Sequence, residues 1–266
     1  MTPSPQPRRH SRYLLGMRVD ATCYDEAAAQ IIEWASDSPA TGRMACCANT
    51  HMVMECHDRP AFCEAVNSAD LVTADGMPLV WSLRLSGVSE ATRVYGPDLT
   101  CAVLERAAAA HMPVGFYGAA PETLERLCAV VADRHPGVPI AYAFSPPFRP
   151  LTAAEDARIT AEIRASGARI LFVGIGCPKQ ELWMAEHKAR LPLVALGVGA
   201  AFDLLAGVKP RAPGWMQRAG CEWLFRLAVE PARLWRRYLT ANPRFTWRFL
   251  QELVRPGVHF RTEART

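Results

Sequence analysis

The segments 113–135, PVGFYGAAPETLERLCAVVADRH, and 168–191, ARILFVGIGCPKQELWMAEHKARL, share one pattern that decides the fold class. Each begins with a short apolar run, continues through small residues and a proline, and ends with apolar residues at helical spacing. Proline is favourable in the first turn of a helix because its missing N–H would have no intrahelical partner there. Each segment therefore predicts a strand, a tight turn and a helix.

The same alternation recurs about six times along the chain. Further predicted strands lie at 13–19, 43–49, 70–75, 139–144 and 193–201, and further helical patterns at 22–37, 51–67 and 152–167. This order predicts an α/β fold with a mainly parallel, Rossmann-like sheet and helices on both faces. In such sheets, ligands bind beyond the carboxyl ends of the strands. The candidates at those ends are Asn49, Asp75, Gly118, Gly176 with the nearby Gln180, and Gly199.

The composition is that of a folded protein with a large core. Half of the 266 residues are hydrophobic, and no run reaches the roughly 18 apolar residues of a transmembrane helix. The polar, proline-rich residues 1–12 predict a disordered N-terminal arm rather than a secretory signal. The nine cysteines show no metal-ligand spacing and are expected to be reduced, which favours a cytoplasmic protein.

Charge divides the chain near residue 207. Residues 208–266 contain 12 basic and four acidic side chains, whereas residues 1–207 contain 18 and 22, so the net charge of +4 hides a basic C-terminal part. We predict an α/β core over residues 13–207 and a helical, basic and aromatic appendage over residues 208–266. Such a tail predicts a polyanionic partner, either nucleic acid or an anionic membrane surface.

The segment LVTADGMPLVW, residues 71–81, contains a candidate general base. Asp75 is predicted at the tip of an apolar strand, and Gly76 leaves room for a ligand beside it. Burial would raise the pKa of such a carboxylate and suit it to accept a proton. The alternative is that Asp75 only caps the next helix or makes a turn.

Other segments are candidate anion sites. The small residues around Gly118 and Gly176 would expose N–H groups at helix N-termini, which attract phosphate, although ordinary turns have the same composition. Arg93 and Asp98, in RVYGPD (residues 93–98), are predicted in a loop, where Arg93 binds a phosphate or carboxylate or forms a structural ion pair. The sequence has neither a Walker motif nor GxGxxG, and it shows no metal-ligand motif.

Seven ordered motifs resemble the WecG/TagA/CpsF family of bacterial glycosyltransferases over roughly residues 13–250. They are ADGMPLVW, RVYGPD, SPPFRPLT, GIGCPKQE, GVGAAFD, AGVKPRAPGWMQRAGCEWLFRL and EPARLWRRYL. The resemblance implies an inverting, metal-independent enzyme of cell-surface polysaccharide synthesis that uses no cofactor. It would move an N-acetylmannosamine-type sugar, a uronate or a hexose from a UDP-sugar donor to a polyprenyl-pyrophosphate-linked saccharide acceptor.

The resemblance also implies roles for residues of the core. Asp75 matches the family's general base, which removes the proton from the acceptor hydroxyl. Asn49 and Gln180 match residues that line the sugar pocket, and Arg93 matches an arginine near the acceptor or the diphosphate. Cys47 is a substrate-binding candidate that stands where relatives often have a threonine. Because a thiol is a weak hydrogen-bond donor, the sugar contact of that threonine does not carry over directly.

In the family, the appendage closes over the site and docks on the inner face of the membrane. Arg226, Arg233 and Arg236 match arginines that neutralise the leaving UDP in place of a metal ion. Aromatic side chains among the arginines suit an anionic bilayer surface, and the family analogy implies self-association through the core. The residues alone leave two rival functions: a nucleic-acid-binding tail, without a recognised motif, and a dinucleotide-dependent oxidoreductase, without GxGxxG. The glycosyltransferase interpretation predicts no nucleic-acid partner.

Overall fold

The computed structural model, which describes residues 9–37, 41–254 and 264–265, confirms the α/β prediction. The strands are β1 (Arg9–Leu14), β2 (Met17–Asp20), β3 (Arg43–Ala48), β4 (Leu71–Ala74), β5 (Val114–Gly118), β6 (Ile140–Phe144), β7 (Ile170–Gly174), β8 (Val194–Gly197) and β9 (Ala264–Arg265). The helices are α1 (Tyr24–Ser36), α2 (Thr50–Asp58), α3 (Pro60–Asn67), α4 (Met77–Leu85), α5 (Gly96–Ala109), α6 (Pro121–Arg134), α7 (Ala153–Ala165), α8 (Lys179–His187), α9 (Ala201–Leu205), α10 (Gly214–Arg218), α11 (Glu222–Val229) and α12 (Pro231–Leu253).

The described strands form one sheet in the order β6-β5-β7-β8-β3-β4-β2-β1-β9. Neighbouring strands from β6 to β2 are parallel, while β1 pairs antiparallel with β2 and with β9. From β3 the chain moves to β4 on one side and then crosses to β5 on the other. The strand order therefore reverses next to β3, where open α/β sheets form their ligand crevice.

The first predicted strand, residues 13–19, is instead the middle of a hairpin. Leu15 and Gly16 form its turn with φ of 51° and 92°, and a two-residue turn with positive φ at both positions matches the twist of an antiparallel pair. β1 starts at Arg9, so residues 9–12 of the predicted disordered arm are strand; residues 1–8 lie outside the described part. The Asp20 carboxylate accepts a hydrogen bond of 2.7 Å from the Val72 N–H and thereby fastens the hairpin beside β4.

Prolines set several helix boundaries. The helical pattern at 51–67 divides into α2 and α3 at Arg59, because Pro60 begins α3 and the residue before a proline avoids the helical conformation. Pro121 occupies the first turn of α6 as predicted, but Pro178 precedes α8 and acts as its N-cap residue. The predicted strand, turn and helix are therefore present at both 113–135 and 168–191. In the second segment the helix begins one residue later than predicted, after the proline.

The C-terminal helices pack onto the core and share its apolar interior. Phe245 and Phe249 of α12 are buried in the same hydrophobic cluster as Met52 and Val53 of α2. The Thr50 hydroxyl donates a hydrogen bond of 2.7 Å to Asn242 Oδ1. Burial of two phenylalanines is a strong apolar contribution, so the second half of α12 is a docked element.

Candidate active site

Two clefts meet at the carboxyl ends of β3, β4 and β8, with volumes of about 640 and about 650 Å³. The core cleft lies over the strand ends and is lined among others by Cys47, Tyr95, Gly176, Gln180, Gly199 and Arg233. The appendage cleft lies between α4 and the C-terminal helices and is lined among others by Met77, Arg93, Glu222, Trp223, Tyr238 and Asn242. Asn49, Asp75 and Arg226 line both clefts. The two spaces therefore adjoin at these three side chains.

Asp75 follows directly after β4, and its main chain and side chain are both held in place. Its N–H donates to the Ala48 carbonyl at 2.8 Å, which continues the β3–β4 pairing by one residue. Its Oδ1 accepts a 2.7 Å hydrogen bond from the N–H of Gly96, the first residue of α5. The carboxylate does not cap the next helix, α4, whose N-cap residue is Gly76. The predicted alternative that Asp75 caps the following helix is therefore wrong, and the carboxylate instead lines both clefts and contacts the N-terminus of α5.

The surroundings of Asp75 favour a proton acceptor that works near neutral pH. Burial raises the pKa of Asp75 to about 6 against the opposing effects of Arg93, the Gly96 N–H and Arg226, while the nearby Glu222 raises it further. A carboxylate with such a pKa is ionised at pH 7 and is a stronger base than an ordinary aspartate.

Asn49 and Gln180 both line the core cleft, and hydrogen bonds fix the orientation of each side-chain amide. Asn49 is the N-cap residue of α2, and its Oδ1 accepts from the N–H groups of His51 and Met52. Gln180 Oε1 accepts from the Gly176 N–H at 3.2 Å, and its Nε2 donates to Glu181 Oε1 at 2.7 Å. Both predicted residues therefore line the cleft, and Asn49 has a helix-capping role that its predicted role did not include.

Small residues bring the backbone close to the core cleft. A Cβ atom on Gly197 would lie 2.7 Å from Met184 Cε and 3.2 Å from Gln180 Nε2, so only glycine leaves the Gln180 amide in its place. Cys47 is buried at the end of β3, and burial raises the pKa of its thiol. Cys47 is therefore a neutral thiol in the wall of the cleft.

Arg93 forms a structural ion pair with a residue of the appendage. Its Nη2 donates to Glu222 Oε2 of α11 at 2.5 Å, and its Nε donates to the Asp75 carbonyl at 2.6 Å. Asp98 pairs instead with Arg211. Gly96 and Asp98 belong to the first turn of α5, so the predicted loop ends at Tyr95. The structural ion pair considered for Arg93 is therefore present, with Glu222 as its partner.

The three predicted arginines of the appendage separate in space. Arg226 of α11 is half-buried and lines both clefts. Arg233 of α12 lines the core cleft and pairs with Glu230 at 2.6 Å. Arg236 lies 5.2 Å from the centre of the Trp235 ring and lines neither cleft. Two of the three are therefore placed to meet a ligand in the clefts.

Gly118 lies away from both clefts. It ends β5, which β7 and β8 separate from β3 in the sheet, and a Cβ there would lie 2.5 Å from the carbonyl carbon of Gly174. Its φ of +136° and this close approach explain the glycine by packing. The position of Gly118 does not support the prediction that it contacts substrate. The local sequence pattern shows that Gly118 ends a strand, but it does not show where that strand lies in the sheet.

Seven further residues of the appendage line the appendage cleft and were not among the predicted site residues: Gln217, Gly220, Glu222, Trp223, Tyr238, Ala241 and Asn242. The one available signal was Glu222, which is among the four acidic residues of the basic C-terminal part. Over residues 9–37, 41–254 and 264–265, no group of three or more His, Cys, Asp or Glu side chains is arranged to hold a metal ion. The positive groups at the described site are arginines.

Fold and site together define an α/β protein whose crevice at the strand ends combines the partly buried carboxylates of Asp75 and Glu222 with arginines, an arrangement suited to proton transfer beside an anionic ligand. Residues 12–258 match the model of the glycosyl transferase WecG/TagA/CpsF family, and the chain belongs to this family. A relative from Bacillus spizizenii, N-acetylglucosaminyldiphosphoundecaprenol N-acetyl-beta-D-mannosaminyltransferase, is 32% identical over 194 residues, which is 73% of each chain.

Proposed function

We propose that this protein transfers an N-acetylmannosamine-type sugar, with a uronate or hexose as alternatives, from a UDP donor to a polyprenyl-pyrophosphate-linked saccharide. Family membership and the name of the Bacillus relative, a transferase that acts on N-acetylglucosaminyldiphosphoundecaprenol, support a sugar transfer to a diphospho-polyprenol acceptor. The observation that carries the proposal is the position of Asp75, a single carboxylate of raised pKa where two clefts meet. Family membership favours this function over the two rivals considered from the sequence.

In the proposed reaction, Asp75 accepts the proton of the acceptor hydroxyl while that oxygen attacks the anomeric carbon. The bond from this carbon to the UDP oxygen breaks, and its electron pair leaves with UDP. A single displacement of this kind inverts the anomeric centre and requires one base. Because Asp75 lines both clefts, it can contact an acceptor in one cleft and a donor sugar in the other.

The proposed donor site is the core cleft, and the proposed acceptor site is the appendage cleft. Glycines and the Gln180 amide line the core cleft, where Arg226 and Arg233 would neutralise the diphosphate without a metal ion. The appendage cleft adds the apolar surfaces of Met77, Trp223 and Tyr238, which suit the sugar rings of a saccharide. Arg226 would contact the diphosphate as the new bond forms.

The proposed site of action is the inner face of the cell membrane, with the enzyme peripherally bound. Within the described residues, no helix has the length and apolar character needed to span a bilayer. One side of α12 exposes Trp235, Leu239, Trp247 and Leu250, each at least 46% accessible, with Arg236 beside Trp235. Exposed tryptophans and arginines are typical of surfaces that contact anionic lipid headgroups.

A transfer assay with radiolabelled UDP-sugars and a diphospho-undecaprenol-linked N-acetylglucosamine acceptor tests the proposed activity. We expect transfer from one UDP-N-acetylhexosamine, uronate or hexose, retained in excess EDTA. The Asp75→Asn variant should lose about a hundredfold or more of kcat, because it lacks the base. Asp58→Asn is the matched control, since Asp58 lines neither cleft and pairs with Arg244.

The result that contradicts the proposal is full activity of Asp75→Asn, or no transfer from any of these donors. Loss of transfer in EDTA with recovery on adding Mg²⁺ would contradict the metal-independent form. For the membrane, sedimentation with anionic liposomes should fall when Trp235 and Trp247 are both replaced by Ala, and equal sedimentation would contradict the proposed surface.

A further inference from the structure

Glu222 is an acidic residue of the appendage whose side chain reaches into the core. It begins α11 and lines the appendage cleft. Its Oε2 accepts the 2.5 Å hydrogen bond from Arg93 Nη2, and the side chains of Arg93 and Glu222 are only 16% and 12% accessible. A charged pair this little exposed is weakly screened by solvent, so removing one partner has a large effect on the other.

The guanidinium of Arg93 is held on three sides next to the proposed base. Its Nε donates to the main-chain carbonyl of Asp75, and its plane lies 4.2 Å from the centre of the Tyr95 ring. These two contacts come from the core, whereas Glu222 comes from α11. The appendage therefore supplies the third of the contacts that hold Arg93 beside Asp75.

Glu222 and Arg226 lie on the same helix, α11. The two residues are four positions apart on α11 and both line the appendage cleft. Residues separated by one helical turn share a face. Anchoring Glu222 to Arg93 therefore holds Arg226 in the space that both clefts share.

We propose that Glu222 is a positioning residue for sugar transfer, which fixes Arg93 against the Asp75 segment. This inference rests on the proposed function for its effect on rate. Its structural part, the coupling between Glu222 and the carboxylate of Asp75, does not require that function.

The charge of Glu222 also acts on Asp75 through space. The titratable and charged groups that face Asp75 come from four parts of the fold: Tyr24 of α1, Cys47 of β3, Arg93 and Tyr95 before α5, and Glu222 and Arg226 of α11. Among them Glu222 raises the pKa of Asp75, and Arg93 and Arg226 lower it. Neutralising Glu222 should therefore lower the pKa of Asp75, and the acidic limb of a rate profile should move to lower pH.

The kinetic test compares Glu222→Gln with Glu222→Asp and with Asp58→Asn. Gln keeps the shape but loses the charge, and we expect kcat to fall about tenfold to a hundredfold at pH 8, from the loss of a charge-assisted hydrogen bond. In Glu222→Gln, we expect the fall of the rate at acidic pH to occur at a lower pH. In Glu222→Asp, which keeps the charge, we expect part of the rate to be restored. Asp58→Asn removes another carboxylate paired with an arginine between core and appendage, and its profile should be unchanged.

A merely structural role predicts that Glu222→Gln lowers thermal stability and reduces the rate equally at all pH values. That result would overturn the proposal. The second measurement is the ¹³C NMR titration of the Asp75 carboxyl in the full-length chain, which needs no turnover. We expect a lower pKa in Glu222→Gln and no change in Asp58→Asn.

An unchanged Asp75 pKa in Glu222→Gln would overturn the inference even if the enzyme is active. A raised pKa would instead show that Arg93, which lowers the pKa of Asp75, has moved away from it, as the positioning role of Glu222 requires. A lowered Asp75 pKa in a protein that transfers no sugar would instead support the coupling and contradict the proposed function. The two failures are therefore distinguishable.

Discussion

Replacing Asp75 with Asn should make the folded protein more stable at neutral pH while it lowers kcat for sugar transfer about a hundredfold or more. Burial raises the pKa of Asp75 to about 6, so ionised Asp75 is less favourable in the folded chain than in the unfolded chain. A group whose folded pKa is raised contributes stability below its unfolded pKa and loses that contribution as pH rises through its folded pKa. Asn is neutral like the protonated aspartate, so the Asn variant does not lose this stability as pH rises.

The magnitude follows from the two pKa values. The interval between 3.8 and about 6 corresponds to about 3 kcal/mol at 1.36 kcal/mol per pH unit. The free energy of unfolding of Asp75→Asn should exceed that of the unchanged protein by about 3 kcal/mol above pH 7 and by less than about 1 kcal/mol near pH 4. For a chain of this size, the gap above pH 7 corresponds to roughly 5 to 10 °C in Tm.

Urea unfolding of both proteins from pH 4 to pH 8 measures this gap. Asp58→Asn is a control of opposite sign, because the hydrogen bond from Arg244 lowers the pKa of Asp58. A lowered pKa contributes stability above the unfolded pKa that is lost as pH falls, so Asp58→Asn should be slightly less stable at pH 8 and equal at low pH. A stability gap for Asp75→Asn that stays constant or shrinks from pH 4 to pH 8 would refute the reasoning.

Three further predictions concern the rate, the core cleft and the appendage. The kcat/KM for transfer should fall about tenfold per pH unit below about pH 6 as Asp75 is protonated; a flat profile down to pH 4.5 would exclude Asp75 as the base. Gly197→Ala should cost about 1–3 kcal/mol in urea unfolding and reduce activity, since the new Cβ meets Met184 and Gln180; unchanged kcat and stability would show that these side chains yield freely. Phe245→Ala should cost about 3–5 kcal/mol, whereas Trp247→Ala, 63% exposed, should change stability by less than about 0.5 kcal/mol; equal costs would contradict the docking of α12.

The core of the fold was predictable because its signals are local. The segments at 113–135 and 168–191 each contain a complete strand, turn and helix, and the structure has β5 with α6 and β7 with α8 at those positions. The hairpin at the N-terminus was not predicted, because Leu15 and Gly16 carry no strong turn signal within an apolar run. A positive φ at Leu15 is set by the pairing of β1 with β2, which is a contact between strands.

The candidate site was predictable where residues follow strands that become neighbours. Asn49 and Asp75 end β3 and β4, which pair directly, and both line the clefts. Gly118 ends a strand in the same way, but the sheet order places β5 away from β3. The identity of a strand-end residue is local information, whereas strand order is a property of the whole sheet.

The amino-acid sequence alone predicts an α/β core, a basic C-terminal part and an acidic residue at the end of an apolar strand. Each of these features is determined by residues that are close together along the chain. Only the tertiary structure pairs Arg93 with Glu222, which are separated by 129 positions, and places Arg226 beside Asp75. Such contacts depend on how α11 and α12 pack against the core. The burial of Asp75 and the charges around it come from groups that are distant in the sequence. The fold therefore decides the pKa of the proposed base.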